Sequence, residues 1–519
     1  MDRTETKYII LIAILLSLSF PPFPLGFLAP LALALFFWFI NGRPPREGFR
    51  LGYWLGLLWG AMTLFWIAAS TLLGSILAIT INSLHYAILG WIFCWLNSKN
   101  RKLLLLTFPF IWIASEYVRL FSDLRFNWLT MAYTQTYYLP LIQIVEITGY
   151  LFISLLILII SEIIFIWISS NKLISYKYLS LILLPIVLLW IYGEIRMKQL
   201  DGKNYSLLKA GLVQPNVDPY QKWEPDFQES AFQMLLQDSR ELVAHSPDLI
   251  VWPETATPFY LRNHFREMEQ IVTFLDSHQV HLLTGTPDYQ YSADKSDVYS
   301  YNAAFFFRPG DFSFESYYKM ALVLGSETMP FKKYFRFLRK IDVGGGDFFP
   351  GDQYSLFTFH VPFRRGTFSN HQYILDDQKK DSTSRVSLSA VICYESVFPH
   401  IVRQFIQNGA NVLTIITNDG WFGMTSGPYQ HAQYAVYRAI ENRISIIRCA
   451  NTGISCFIDP VGRILTRARL NTHKTLVAYI PIANEKTFYS RRGDWLGLAA
   501  LLIIIGLFFV QGVRHFYKK

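Results

Sequence analysis

Charge is what this chain has least of. Asp, Glu, Lys and Arg make up 16% of its 519 residues, where an average soluble domain has roughly a quarter. With 52% hydrophobic residues, 42 Phe and a positive mean hydropathy, the chain reads as a membrane protein and not as an ordinary soluble domain. Cysteine is scarce too. There are four, and Cys94 lies in an apolar run, which excludes a disulfide framework. Cys449 and Cys456 could approach across a hairpin, but two strand cysteines read as plain core thiols. Metal-ligand spacings, glycine-rich phosphate loops and nucleic-acid motifs are lacking, so no metal, cofactor or nucleic-acid partner is expected. The lone helical His431 reads as a hydrogen-bonded structural residue.

What is abundant is apolar sequence. Residues 8–40 are almost wholly apolar but broken by P-P-F-P-L-G at 21–26, and each half is shorter than the roughly 20 residues that span a bilayer. They read as two short spans or a re-entrant hairpin. Further apolar runs cover about 52–72, 75–96, 103–121, 147–168, 178–195 and 495–512. Counted with the two halves they make eight segments, seven before a long polar stretch and one after it. No small-residue cleavage site follows the first run, so it does not read as a signal peptide.

The charges between these runs set an orientation. Arg3 and Lys7, then Arg43, Arg46 and Arg50, then Lys99, Arg101 and Lys102, then Lys172 and Lys177, then Arg514, Lys518 and Lys519 all fall on one side. The other side has little beyond Arg119 and Arg125 before the polar part. The positive-inside rule places the rich side, with both termini, in the cytoplasm, and the polar part outside. Within the spans, Glu116 and Arg119 are one helical turn apart and open to pairing, and Glu146 and Glu162 are intramembrane carboxylates. Structural pairing between helices is the plainer reading of all four.

From residue 205 short β-rich runs alternate with amphipathic helices, the pattern of one α/β domain. Residues 340–385, with G-G-G at 344–346 and D-D-Q-K-K-D at 376–381, read as an exposed, irregular insertion. Three strand-like runs end in reactive side chains. The run 248–252 leads into Pro253 and Glu254, 314–318 ends at Lys319, and 386–392 ends at Cys393. Taken alone, each has an ordinary explanation: a small buried hydrophobe for the cysteine, a helix-end cap for Glu254, a solvated strand end for Lys319. Together they offer a nucleophile, a base for its proton and a cation for a thiolate or an oxyanion.

The order of the local motifs carries more. G-L-V-Q-P-N at 211–216, K-W at 222–223, V-W-P-E at 251–254, Y-Y-K at 317–319, I-C-Y-E at 392–395, T-N-D-G-W-F-G at 417–423, Y-R-A-I-E at 437–441 and R-C-A-N-T-G at 448–453 follow one another. In the apolar part stand S-E-Y-V-R at 115–119, F-N-W-L at 126–129, P-L-I-Q at 140–143 and E-I-T-G at 146–149. Nearly end to end, this set resembles the apolipoprotein N-acyltransferase family. One loop departs from it: the family places a histidine after the lysine, then L-V-P-F-G-E-Y and a proline. Here Met320 and A-L-V-L-G-S-E-T-M-P at 321–330 follow, keeping Glu327 and Pro330.

The resemblance implies an eight-segment helical bundle with an extracytoplasmic nitrilase-like αββα sandwich inserted before the last span. Its parts would be 1–200, 201–490 and 491–519. It implies a Glu254–Lys319–Cys393 triad, with substrate-binding or supporting roles for Trp223, Glu327, Tyr394, Glu395, Asn418 and Trp421. The implied partners are a phospholipid acyl donor, a diacylated lipoprotein acceptor and membrane lipid, for a monomeric protein of the bacterial inner membrane. Exposed apolar side chains on mobile loops, such as Phe348, Phe349 and Trp421, would admit acyl chains. A membrane-tethered amidase using the same triad is the competing enzyme. A transporter or scaffold with a binding domain is the non-enzymatic alternative, and it predicts that Cys393 is dispensable.

Overall fold

A computed structural model describes residues 2–170, 175–292, 294–295, 297–329, 331 and 348–516. Lys172, Pro330, the glycine run at 344–346, Lys518 and Lys519 lie outside the described residues. The chain divides into two compact units, one of residues 1–195 with 492–519, the other of residues 196–491.

The first unit is helical. Its apolar runs form the helices Arg3–Leu18, Leu28–Ile40, Pro45–Leu64, Leu72–Lys99, Arg101–Val118, Leu151–Ser169, Tyr176–Asp201 (which ends in the second unit) and Trp495–Phe516. Among the described residues, Leu72–Lys99, Leu151–Ser169 and Tyr176–Asp201 are long and apolar enough to cross a membrane. Small residues let two helices touch along their backbones. A Cβ on Gly52 would sit 2.4 Å from the carbonyl oxygen of Tyr86, and one on Gly90 2.3 Å from that of Gly48. Glu116 and Arg119 do not pair. Glu116 accepts from Trp112 Nε1 (3.1 Å) and the Met131 amide (3.2 Å), while Arg119 donates to Asn82 Oδ1 at 3.0 Å. Glu146 accepts from the Tyr192 hydroxyl at 2.9 Å, and Glu162 is buried with no partner for Oε1 among the described residues.

The second unit is built on twelve strands: β1 (Tyr205–Gln214), β2 (Leu249–Val251), β3 (His281–Tyr291), β4 (Val298–Phe307), β5 (Phe314–Tyr318), β6 (Leu356–Ser369), β7 (Gln372–Ile392), β8 (Val412–Thr417), β9 (Ile446–Ala450), β10 (Cys456–Ile458), β11 (Ile464–Arg467) and β12 (Lys474–Pro481). The pairing order β11-β10-β9-β8-β7-β6-β1-β2-β3-β4-β5, with β12 against β1, makes a mixed sheet in two halves. Among the described residues the halves join as one sheet where Tyr205 and Ser206 pair with Gly366 and Arg365. They then face each other: Cys449 Sγ of β9 reaches the carbonyls of Val213 and Val251, and Phe306 stacks on Phe357.

The parallel pairs β1–β2, β2–β3, β7–β8 and β8–β9 each need a crossover, and helices Pro225–Val243, Phe265–His278, Pro399–Asn408 and Gly427–Asn442 supply them. Phe265–His278 shows why. Met268, Ile271, Val272 and Leu275 fall on one face at helical spacing, and the helix stops at Gln279, whose φ is +51°. That face and Phe232 and Leu235 of Pro225–Val243 cover Ile250, Leu282 and Phe305 of the sheet.

The irregular insertion expected over 340–385 is corrected from residue 356 onward. There β6 and β7 form a long hairpin turned by Asn370 and His371, both with positive φ (50° and 63°), as a two-residue turn between twisted strands requires. Its tip at 369–372 and the stretch 376–379 are exposed and polar, so no apolar alternation marks them as strand.

Candidate active site

Strand ends of both halves meet at one buried cluster. Glu254 follows the short β2 and is pressed against β3 at Gly285. A Cβ there would lie 2.5 Å from Pro253 O and 2.6 Å from Glu254 Cα, so no side chain fits without moving the carboxylate. The next residue, Thr255, has φ +46°, and its carbonyl accepts from the buried Lys222 Nζ at 2.9 Å. Lys319 ends β5, where its amide donates to Asn302 O at 2.9 Å. Cys393 ends β7 with φ +52°, at the start of a turn spanning Cys393–Val397. A β-carbon residue seldom adopts that conformation unless its surroundings impose it, and it turns the thiol off the strand axis.

Lys319, 1% exposed, sits between two carboxylates: Nζ is 3.3 Å from Glu254 Oε1 and 2.8 Å from Glu327 Oε1. Asn302 Nδ2 donates to the same two oxygens, at 2.7 and 3.0 Å. The other oxygen of Glu254 accepts from the Asn418 amide at 2.8 Å. Burial works against the Lys319 ammonium, but Glu254 and Glu327, with Cys393 beyond them, outweigh it and hold its pKa above the usual lysine value. Burial and the Glu254 carboxylate hold the Cys393 thiol well above its ordinary pKa, with Lys319 opposing. A thiol held so far above its ordinary pKa serves as a nucleophile only as its proton leaves for a neighbouring base.

Of the other residues singled out from sequence, Glu395 bonds protein groups through both carboxylate oxygens. Fully buried, it accepts from the Tyr317 hydroxyl (2.7 Å), the amides of Met320 (2.6 Å) and Ala321 (3.2 Å), and the Ile392 amide (2.7 Å). It ties the segment after Lys319 to the residue before Cys393. Glu327 Oε2 accepts from the Val323 amide at 2.8 Å, closing the divergent 321–330 loop on itself. Asn418 is buried, and its Oδ1 accepts from Asn451 Nδ2 at 3.1 Å. Tyr394 is half-buried, its ring edge-on to Phe398 at 4.9 Å. Trp223 is 41% exposed and lies against the Lys222 ammonium.

The expectation of exposed apolar side chains at Phe348, Phe349 and Trp421 is corrected, since all three are half-buried. Phe349 packs on Tyr299 at 4.4 Å and Trp421 lies edge-on to Tyr220 at 5.1 Å, so aromatic neighbours cover them. Two residues of the cluster escape sequence reasoning. Asn302 is an amide inside an otherwise aromatic and Ala-rich strand, a position that β-propensity disfavours, and that mismatch is its signal. Lys222 is 3% exposed where a lysine is ordinarily solvated, and burial, opposed by Glu254, brings its pKa down to about 8.

Comparison with known proteins covers both units. The family model described as carbon-nitrogen hydrolase matches residues 209–488, and that described as apolipoprotein N-acyltransferase N-terminal domain matches residues 12–163. The apolipoprotein N-acyltransferase of Geobacter metallireducens is 31% identical over 537 residues, covering 99% of this chain and 97% of the relative. That of Chlorobaculum tepidum is 28% identical over 527 residues, covering 96% and 95%. Among solved structures, a double mutant of the amidase from Nesterenkonia sp. AN1 in complex with acrylamide aligns with a TM-score of 0.36 and 15% identity, over 53% of this chain and 90% of that one. The second unit therefore has the nitrilase-like carbon-nitrogen hydrolase fold, with its mixed sheet, beside a helical N-terminal region.

Proposed function

This chain belongs to the apolipoprotein N-acyltransferase family, bacterial membrane enzymes that acylate lipoproteins, and from that premise we propose a two-step transfer through Cys393. In the first step Glu254 takes the thiol proton and the sulfur adds to the ester carbonyl of a phospholipid, phosphatidylethanolamine by preference. Lys319 and the Tyr394 amide hold the oxyanion. The ester C–O bond breaks, the leaving lysophospholipid oxygen takes the proton from Glu254, and a thioester remains. In the second step the α-amino group of a diacylglyceryl-cysteine attacks the thioester and passes a proton to Glu254. The C–S bond breaks and the thiolate recovers its proton, leaving an N-acylated lipoprotein, the last stage of lipoprotein maturation.

The observation that carries this reading is the Lys319 ammonium held between Glu254 and Glu327, acting on the Cys393 thiol. A base, a nucleophile and a cation in one buried cluster suit acyl transfer and have no evident purpose in a transporter or scaffold. Detergent-solubilised protein given phospholipid and a diacylated peptide with a free N-terminal cysteine should yield N-acylated peptide with ping-pong kinetics. Hydrolysis of small amides, with no acyl chain passed to the peptide, favours the amidase instead.

The setting follows from the charge pattern. We place eight spans in the bacterial inner membrane, in a monomeric protein, with residues 201–490 on the periplasmic side and both termini in the cytoplasm. In intact cells, single cysteines placed in the 376–379 stretch should react with an impermeant thiol reagent, and those in the tail after residue 511 should not. The reverse pattern overturns the orientation.

A further inference from the structure

Two buried side chains converge on a place the transfer scheme leaves unexplained: the carbonyl of Cys393. His431 Nε2, from helix Gly427–Asn442, is 3.1 Å from Cys393 O and 2.9 Å from Ser396 Oγ. Ser396 Oγ in turn donates to Cys393 O at 2.8 Å. On the far side of the ring, His431 Nδ1 is 2.9 Å from Asp419 Oδ1 and 3.1 Å from Arg448 Nη2. Arg448 Nη2 also donates to Asp419 Oδ2 at 2.9 Å, and Thr417 Oγ1 donates to Asp419 Oδ1 at 2.8 Å. Asp419, His431, Arg448 and Ser396 are all at most 1% exposed.

A carbonyl oxygen only accepts, so Nε2 carries a proton whatever the charge of the ring. The ring cannot then take the proton of the thiol through Nε2, and Nδ1 is turned to Asp419 and Arg448. His431 is therefore placed to hold the backbone, not to act as the base. Burial works against the Asp419 carboxylate, but Arg448 and His431 outweigh it and keep its pKa well below the usual range, so the ring is anchored on a permanent charge.

What the hydrogen bonds fix is a peptide plane. Cys393 O belongs to the trans peptide whose N–H is that of Tyr394. In a planar trans peptide the C=O and N–H point opposite ways, so holding the one aims the other. Donors on the carbonyl also polarise the peptide and strengthen its N–H. Cys393 sits in the left-handed region, at φ +52°, where the plane needs outside support.

We propose that the buried Asp419–His431 pair, with Arg448 and Ser396, is a positioning relay that sets the Tyr394 N–H as oxyanion donor for acyl transfer at Cys393. It rests on the thioester reading above, and the test separates the two. Full-length protein in detergent is measured for two reactions of the same thiol. One is acylation by phosphatidylethanolamine, which passes through an oxyanion. The other is alkylation by iodoacetamide, in which the thiolate displaces iodide from a saturated carbon and no oxyanion forms.

His431→Leu should slow acylation roughly 10- to 100-fold, short of the ~10²–10³ of losing a donor outright, with alkylation changed by no more than about twofold. His431→Gln, which keeps an N–H near the Nε2 position, should restore most of the loss. Ser396→Ala, a smaller change at the same carbonyl, should show the same selective defect more weakly, and it decides the matter if His431→Leu does not fold. Acylation and alkylation falling together, or acylation unchanged, overturns the relay while wild-type acylation stands. A wild-type protein that takes no acyl chain at all overturns the thioester reading, and the relay with it.

Discussion

Incubated with phosphatidylethanolamine and no acceptor, the protein should gain one fatty-acyl mass at Cys393, and Cys393→Ala should gain none. In the proposed scheme the thioester forms before the acceptor binds, so the adduct should accumulate when the second substrate is withheld. Neutral hydroxylamine should remove it, because thioesters are cleaved far faster than amides, and a diacylated peptide should discharge it. The structure adds a reason to expect a large effect. The thiol is held protonated by burial and by the Glu254 carboxylate, so background reactivity is low and the signal depends on proton removal during attack. Glu254→Gln, which leaves the site without a base, should suppress the adduct as well. Intact-protein mass spectrometry reads all three. Acyl transfer by Cys393→Ala sinks the assignment, and an adduct on Cys449 or Cys456 moves it to another thiol.

The second large effect is expected at Lys319. Replacing it with Met should cost turnover roughly 10² or more, the scale of losing an oxyanion donor. The loss should exceed that of the donor alone. Glu254 Oε1 and Glu327 Oε1 lie 3.3 and 2.8 Å from Nζ, so removing the ammonium leaves a buried and a half-buried carboxylate whose Oε1 atoms share one amide, Asn302 Nδ2. Two such groups do not both stay ionised without a cation, and the proton that one of them takes up competes with the base function of Glu254. A Lys319→Met, Glu327→Gln double variant removes the second carboxylate and should regain part of the activity. Single-turnover acylation rates test this. A Lys319→Met enzyme within a few-fold of wild type shows that the ammonium is not needed, and no regain in the double variant removes the carboxylate-pair argument.

Much of this was legible in the sequence, for identifiable reasons. Apolar runs locate helices because burial in lipid or protein requires them, and the runs around 75–96 and 147–168 lie within or overlap Leu72–Lys99 and Leu151–Ser169. The strand at 386–392 is a buried run ending in a reactive side chain, and that at 314–318 is an aromatic-rich run ending in lysine, and such ends show in one dimension. The β6–β7 hairpin did not, because its tip and the 376–379 stretch are exposed and polar and its turn is Asn-His where Asn-Gly is the usual signal. Asn302 and Lys222 were illegible for another reason. Each matters through a partner remote in sequence, Asn302 through Glu254 and Lys222 through Thr255, and no spacing rule carries that information. His431 shows the limit from the other side. A lone helical histidine was read as structural, and its ring does bond a backbone, but the backbone is that of Cys393, the proposed nucleophile.

The four hydrogen bonds to Glu395 reach beyond holding geometry. Met320 and Ile392 are the two ends of a 73-residue excursion, from 320 to 392, and one carboxylate pins both. Of the described residues between them, some come back to the cluster, Glu327 at Lys319 Nζ (2.8 Å) and the Gly351 amide at Lys319 O (2.9 Å), while the end of the β6–β7 hairpin at 369–372 is exposed. Closing a longer loop between fixed ends costs little more than closing a short one. The exposed hairpin end is thus a stretch where the sequence can drift or lengthen with the chemistry left in place. Departure from the family's loop after Lys319 is the kind of variation such an anchorage permits: the reacting groups and the surface that meets new substrates can change on separate evolutionary clocks.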